Sequence, residues 1–317
     1  MLITSGLAMA RPLRIEFPGA FYHITARGNE GREIFGSLRD RQQFLSYLES
    51  AVRRYHAVIH VYCLMGNHYH LLLETPSGNL SQILRHINGA YTTYFNVKRN
   101  RSGHLFQGRF KAILVDADEY AMELSRYIHL NPVRAGLANR PEQYPWSSFP
   151  CYVGETQKPD WLSLDLILGY FDSQDAHYRE FVHALLAKEY KSPLQGTIAS
   201  TILGSPDFVD AIQERYLTSR KTDRNLPALR ELSKACIPKI LKETESFFED
   251  RAVARKAALY LCHRFSGRSL REIGRHFGIG ESAVSQASRR FEQNLEQDGE
   301  LRRKLYVAAE KTGLCKV

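Results

Sequence analysis

Cysteine is sparse and scattered in this 317-residue chain: Cys63, Cys151, Cys236, Cys262 and Cys315 stand far apart and never at Cys-X-X-Cys spacing. That excludes a disulfide framework and a cysteine zinc site, and it fits a reducing cytoplasm. Long apolar runs are absent, which excludes a membrane-spanning helix. Residues 1–10 lack the basic start and the hydrophobic length of a secretion signal, so no targeting is read. Residues 1–8 read as an upstream extension before an ordinary start at Met9-Ala10-Arg11-Pro12. Acidic residues are outnumbered, 34 against 43 Lys and Arg, for a net charge of +9 and a pI near 9.3. The Arg-rich stretches recur along the chain instead of forming one tail, so a polyanionic partner is expected, nucleic acid first. With 44% hydrophobic residues over this length, more than one core can be buried.

What is present centres on Cys63-Leu64-Met65-Gly66-Asn67-His68-Tyr69-His70-Leu71-Leu72-Leu73-Glu74. Residues 57–64 alternate and are rich in Val, Ile and Tyr, Gly66-Asn67 supplies a turn, and His68 opens the second arm of a hairpin. Two histidines two apart on a strand share one face, the geometry of a metal-ligand pair. The plain alternative is two rings packing or hydrogen-bonding without a metal. Both ring nitrogens of each would then need protein partners in a mostly apolar strand.

Phe21–Arg27 alternates as a first strand, Asp40–Tyr55 carries Phe44, Leu45, Leu48 and Val52 at helical spacing, and the hairpin gives strands two and three. Leu80–Tyr94 then reads as a second helix and Arg109–Val115 as a fourth strand. The β-α-β-β-α-β order predicts an α+β, ferredoxin-like antiparallel sheet with both helices on one face and strands one and three central. Asp116 and Asp118 open a third helix that should stop where Pro132 follows Asn131. Tyr127 and Asn131 are four apart, so a phenol and an amide share one helix face, one turn apart.

Pro141, Pro145, Pro150, Gly154 and Pro159 predict a boundary over 139–159. The expected domains are 11–150, a helical connecting region 151–250 that includes patches at Asp207–Leu217 and Pro227–Cys236, and 251–317. In the last, Ala254–Phe265, Ser269–Phe277, the turn Gly278-Ile279-Gly280 and Glu281–Leu295 read as a helix-turn-helix. Gly274 would sit where two helices cross, and Ile273, Phe277, Ile279 and Val284 would lock the corner. Ser282, Ser285, Gln286, Arg289 and Arg290 face outward as candidate contacts to bases and phosphates of duplex DNA. A plain helical bundle with a solvated basic face is the alternative.

GNHYHLLLE, GHLFQGRF and DEYAMELSRYIHLNPVRAGL, in that order, resemble the single-tyrosine HUH transposases of insertion sequences, including the REP-associated tyrosine transposases, over about residues 11–150. Residues 252–295 are similar to the DNA-binding domain of the replication initiator DnaA, with Gly280-Glu281-Ser282-Ala283 replacing the Asp-His-Thr-Thr at the start of its recognition helix. The first resemblance implies that His68 and His70 are metal ligands with Tyr69 in the apolar slot between them. It also implies that Asn131 completes the metal site and that Tyr127 is the nucleophile.

A phenol with an ordinary pKa of about 10 attacks poorly at neutral pH, so the phosphodiester needs a divalent cation on a non-bridging oxygen. Two imidazoles, an amide oxygen and open positions suit Mg²⁺ or Mn²⁺ better than Zn²⁺. Attack by Tyr127 would leave a 5′-phosphotyrosine and a free 3′-OH, an exchange that a second 3′-OH can reverse to rejoin strands. Tyr120 competes for the role but is seven residues from Tyr127 and not one turn from Asn131. His129, about 200° around the helix from Tyr127, and His104 are expected at the surface or on DNA. Arg27, Arg109 and Lys111 are candidates for holding a single strand. Two other classes stand beside this one: a DNA-binding regulator with an unused HUH domain, and a nuclease that uses water. Monomer and homodimer are both left open.

Overall fold

The computed structural model describes residues 14–186, 188, 192–198, 200–217, 237–266 and 268–312. The expected extension 1–8, the start at 9–12 and the helical patch Pro227–Cys236 lie outside the described residues. The chain divides into two compact units, 1–222 and 223–317.

In the first unit, β1 (Ala20–Arg27), α1 (Leu38–Tyr55), β2 (Val58–Leu64), β3 (His68–Thr75), α2 (Leu80–Lys98) and β4 (Lys111–Val115) follow in the expected order. The sheet runs β2-β3-β1-β4, antiparallel throughout, so β3 and β1 are central. Alternation along β3 sends Tyr69 to the face covered by α1 and α2. There it packs 4.7 Å from Phe44, and its hydroxyl donates to Asn88 Oδ1 at 2.8 Å. Ser37 caps α1 by accepting from the Asp40 backbone, and the buried Asp40 carboxylate takes Lys98 at 2.8 Å and Arg99, tying α1 to the end of α2. The opposite sheet face receives α3 (Ala117–Arg134).

Three differences from expectation concern this unit. α3 continues through Pro132, although that residue has no N–H to donate to the Ile128 carbonyl one turn back. The end closes instead by Ala135 N to Asn131 O at 3.0 Å and Leu137 N to Pro132 O at 2.9 Å. β4 begins at Lys111, which leaves Arg109 exposed in the preceding loop. The proline-rich stretch 139–159 lies inside the first unit, not between units. Helix α4 (Asp175–His183) packs on α3, and β5 (Ile202–Leu203) adds a parallel fifth strand to β4.

The second unit contains α5 (Ile237–Phe247), α6 (Arg251–Phe265), α7 (Leu270–Phe277), α8 (Glu281–Gln297) and α9 (Gly299–Lys311) around one apolar core. A Ser269–Glu272 capping box starts α7, and Gly278, at φ 66°, ends it in the left-handed conformation. Ile279 N then donates to Gly274 O at 2.9 Å, and a Cβ on Gly274 would stand 2.5 Å from the Ile279 carbonyl oxygen. Ile273, Phe277 and Val284 are buried as expected, but Ile279 is 36% exposed because its backbone, not its side chain, makes the corner. No described helix is long and apolar enough to cross a membrane.

Candidate active site between the sheet and α3

Register decides which side chains share the face turned to α3. Arg27 lies directly across from His68, Thr25 across from His70, and Lys111 across from Thr25. Paired residues in an antiparallel ladder point the same way, so His23, Thr25 and Arg27 of β1 join His68 and His70 of β3. His68 is half-buried and His70 only 6% exposed, with ring centroids 4.9 Å apart.

Tyr127 comes down from α3 onto this cluster. Its ring stands edge-on to His70 at 6.1 Å and to His23 at 6.3 Å, and the Arg134 guanidinium lies 5.6 Å from the ring centroid. One turn on, Asn131 Nδ2 donates to the Tyr127 carbonyl at 2.9 Å, which fixes the amide against the helix. His23 and Arg134 were not anticipated from sequence. A single His in an alternating strand shows its partners only once the register is known, and Arg134 lies beyond the proline taken as the helix end.

The other candidates are placed differently. Tyr120 is half-buried, seven residues from Tyr127. His104 is exposed in the loop before β4. His129, expected at the surface, is fully buried: its Nδ1 is 2.7 Å from Tyr178 Oη on α4 and its Nε2 is 2.8 Å from Ser148 Oγ. Packing of α4 against α3 covers that side of the helix, and burial drives the His129 pKa down to about 3. Arg27 and Lys111 border the histidine cluster, whereas Arg109 sits close enough to Arg14 to lower its pKa, after burial.

Burial lowers the pKa of all three site histidines, with added repulsion from Lys111 on His23, from Arg27 on His68, and from His23 and His68 on His70. Burial thus favours the neutral imidazole, the protonation state that ligates metal. His70 Nε2 is buried with no hydrogen-bond partner. Such an atom is costly unless something takes its lone pair, so the donor set fits a cation. Among the described residues no group of three His, Cys, Asp or Glu side chains forms a cage. An ion here would therefore complete its shell with an amide oxygen, water or phosphate, as Mg²⁺ and Mn²⁺ do.

On the second unit, Val284, Ser288, Phe291 and Leu295 form the buried stripe of α8. Ser282, Gln286, Arg289 and Arg290 are exposed and Ser285 half-buried, so all five predicted contact residues lie off the core stripe.

The sequence model of the IS200-like transposases matches residues 17–131. Among solved structures, a REP-associated tyrosine transposase bound to a REP hairpin is similar to this chain at 19% identity and a TM-score of 0.41, over 50% of this chain and 93% of that one. No curated protein sequence matches the chain. The matched segment runs from the residues just before β1 to Asn131 on α3, and it holds every side chain of the histidine and tyrosine cluster except the flanking Arg134; over residues 17–131 the chain is similar to the IS200-like transposases.

Proposed function

We propose that the protein is a metal-dependent DNA strand transferase that cuts single-stranded DNA with Tyr127 and rejoins it. The observation that carries this is the edge-on approach of the Tyr127 ring to His70, whose buried Nε2 lacks a partner. His68, His70 and Asn131 are the residues that would hold a divalent cation, which when bound draws charge from the scissile phosphate. Tyr127 is the nucleophile: its Oη forms a bond to phosphorus as the bond to the 3′ oxygen breaks. The phenol loses one proton and the departing 3′ oxygen gains one, so the step needs no water and conserves a phosphodiester-level bond. Arg27, Lys111 and Arg134 bring positive charge to the rim of the same face, suited to a strand backbone. Arg109, in the exposed loop before β4 and near Arg14, is proposed as a further contact for the strand.

The second unit is proposed to grip neighbouring duplex. The observation behind it is the stripe of Ser282, Gln286 and Arg289, with Arg290 beside it, on the exposed face of a helix that follows a three-residue turn. Incubating the protein with single-stranded oligonucleotides from its own flanking DNA and Mn²⁺ tests the main reading. A protein–DNA band that survives denaturation is expected, and it should vanish with chelator or in His68→Ala. Cleavage without such a band would mean that water is the nucleophile.

A further inference from the structure

His23 has no part in that chemistry, although it is 2% exposed and in the middle of the sheet. Its Nε2 lies 3.0 Å from His70 Nδ1, and the two rings stack at 5.2 Å with planes 13° apart. In such a contact one nitrogen donates and the other accepts, and the direction decides what His70 offers at its far nitrogen. When His70 donates from Nδ1, its Nε2 carries a lone pair. When His23 donates, His70 Nε2 carries a hydrogen and cannot ligate.

His70 Nε2 and His23 Nδ1 are both buried without partners, so either direction strands one hydrogen and one lone pair in the interior. A cation at His70 Nε2 relieves one of these deficits, and only in the first arrangement. His68 is already settled. Asn67 Nδ2 donates to Gly31 O at 3.0 Å, which leaves Asn67 Oδ1 to accept from His68 Nδ1 at 2.7 Å and turns His68 Nε2 outward as a lone pair.

We propose that His23 is a positioning residue: by accepting from His70 Nδ1 it fixes the tautomer that presents a lone pair at Nε2 beside Tyr127. This rests on the metal-dependent reading above. An imidazole here takes the place of the carboxylate, carbonyl or water that usually orients a ligating histidine. It does so without adding a negative charge to a face meant for phosphate.

The test is Mn²⁺ binding by the full-length protein without DNA, followed by electron paramagnetic resonance of free Mn²⁺, with pulsed spectra counting the coupled imidazoles. Wild type should bind with two imidazoles. His23→Leu, which cannot accept, should weaken binding about 10–100-fold, whereas His23→Gln, whose amide oxygen can accept, should stay within about threefold. Thermal melting checks that each variant is folded. Wild-type affinity in His23→Leu, equal losses in both variants, or three coupled imidazoles would overturn the proposal while leaving metal binding standing. Should His23→Leu fail to fold, His23→Gln decides alone, and a loss of about tenfold or more overturns it. A wild-type protein that binds no Mn²⁺ overturns this inference and the metal-dependent reading together.

Discussion

Tyr127 and His129 are two residues apart on α3 and belong to different environments: the Tyr127 ring meets His70 on the sheet, and His129 is sealed between Tyr178 and Ser148. One helix thus carries the proposed nucleophile on one side and a core imidazole on another. Tyr127→Phe should abolish the covalent adduct and leave single-strand affinity within about twofold, because only one hydroxyl is lost. Tyr120→Phe should retain the adduct. Denaturing gels and fluorescence anisotropy measure the two quantities, and an adduct in Tyr127→Phe would rule out this nucleophile.

Acid should loosen the first unit through His129. Its folded pKa, about 3, lies below the ordinary value of 6.5, so the unfolded chain binds more protons between those limits. The neutral form's stabilising contribution is therefore complete above that window and is lost as pH falls through it. From about pH 7 to about pH 5.5 the expected loss from this group is ~1 kcal/mol. Urea midpoints of wild type and His129→Gln at both pH values isolate it, since the variant should show the smaller slope.

Gly274→Ala should destabilise the second unit by about 1–3 kcal/mol, the range for forcing an extra carbon into a packed site. The added Cβ meets the Ile279 carbonyl oxygen, a backbone atom that cannot swing aside. Calorimetry should show one of two transitions shifted. An unchanged profile would mean that the α7–α8 corner relaxes freely.

Removing residues 223–317 should leave cleavage of a short single-stranded oligonucleotide intact and weaken binding to duplex-flanked substrate. Loss of Arg289 and Arg290 alone should lower the salt slope by about 2. The cut belongs at 222 and not at 251, because Ile237 and Ile240 of α5 are part of the second unit's core. Unchanged duplex affinity would assign this unit to another task.

The histidine pair, Tyr127 and the order of the first four strands were readable because each rests on a short local period: two along a strand, four along a helix. His23 was not readable, since its meaning lies in β1–β3 register, and register is a property of two distant segments. β5 escaped notice because two residues carry no period at all. His129 was misjudged as surface because the turn angle from Tyr127 says where it points, not that α4 waits there. The end of α3 was misjudged because one missing N–H, at Pro132, does not by itself end a helix whose following residues still bond back, as Ala135 N does to Asn131 O.

β5 also bears on how the protein is made. Leu114 and Val115 take their partners from Ile202 and Leu203, and the Leu114 and Asp116 amides bond to Thr201 and Leu203 carbonyls. The flank of the sheet next to the cluster is thus completed by a strand far downstream of residues 17–131. During synthesis β4 leaves the ribosome long before its neighbour does, and a bare strand edge is a template for another chain. Translation pausing before residue 203, or truncation there, would expose that edge in a sheet already otherwise formed, so an excised 17–131 fragment is expected to associate with copies of itself.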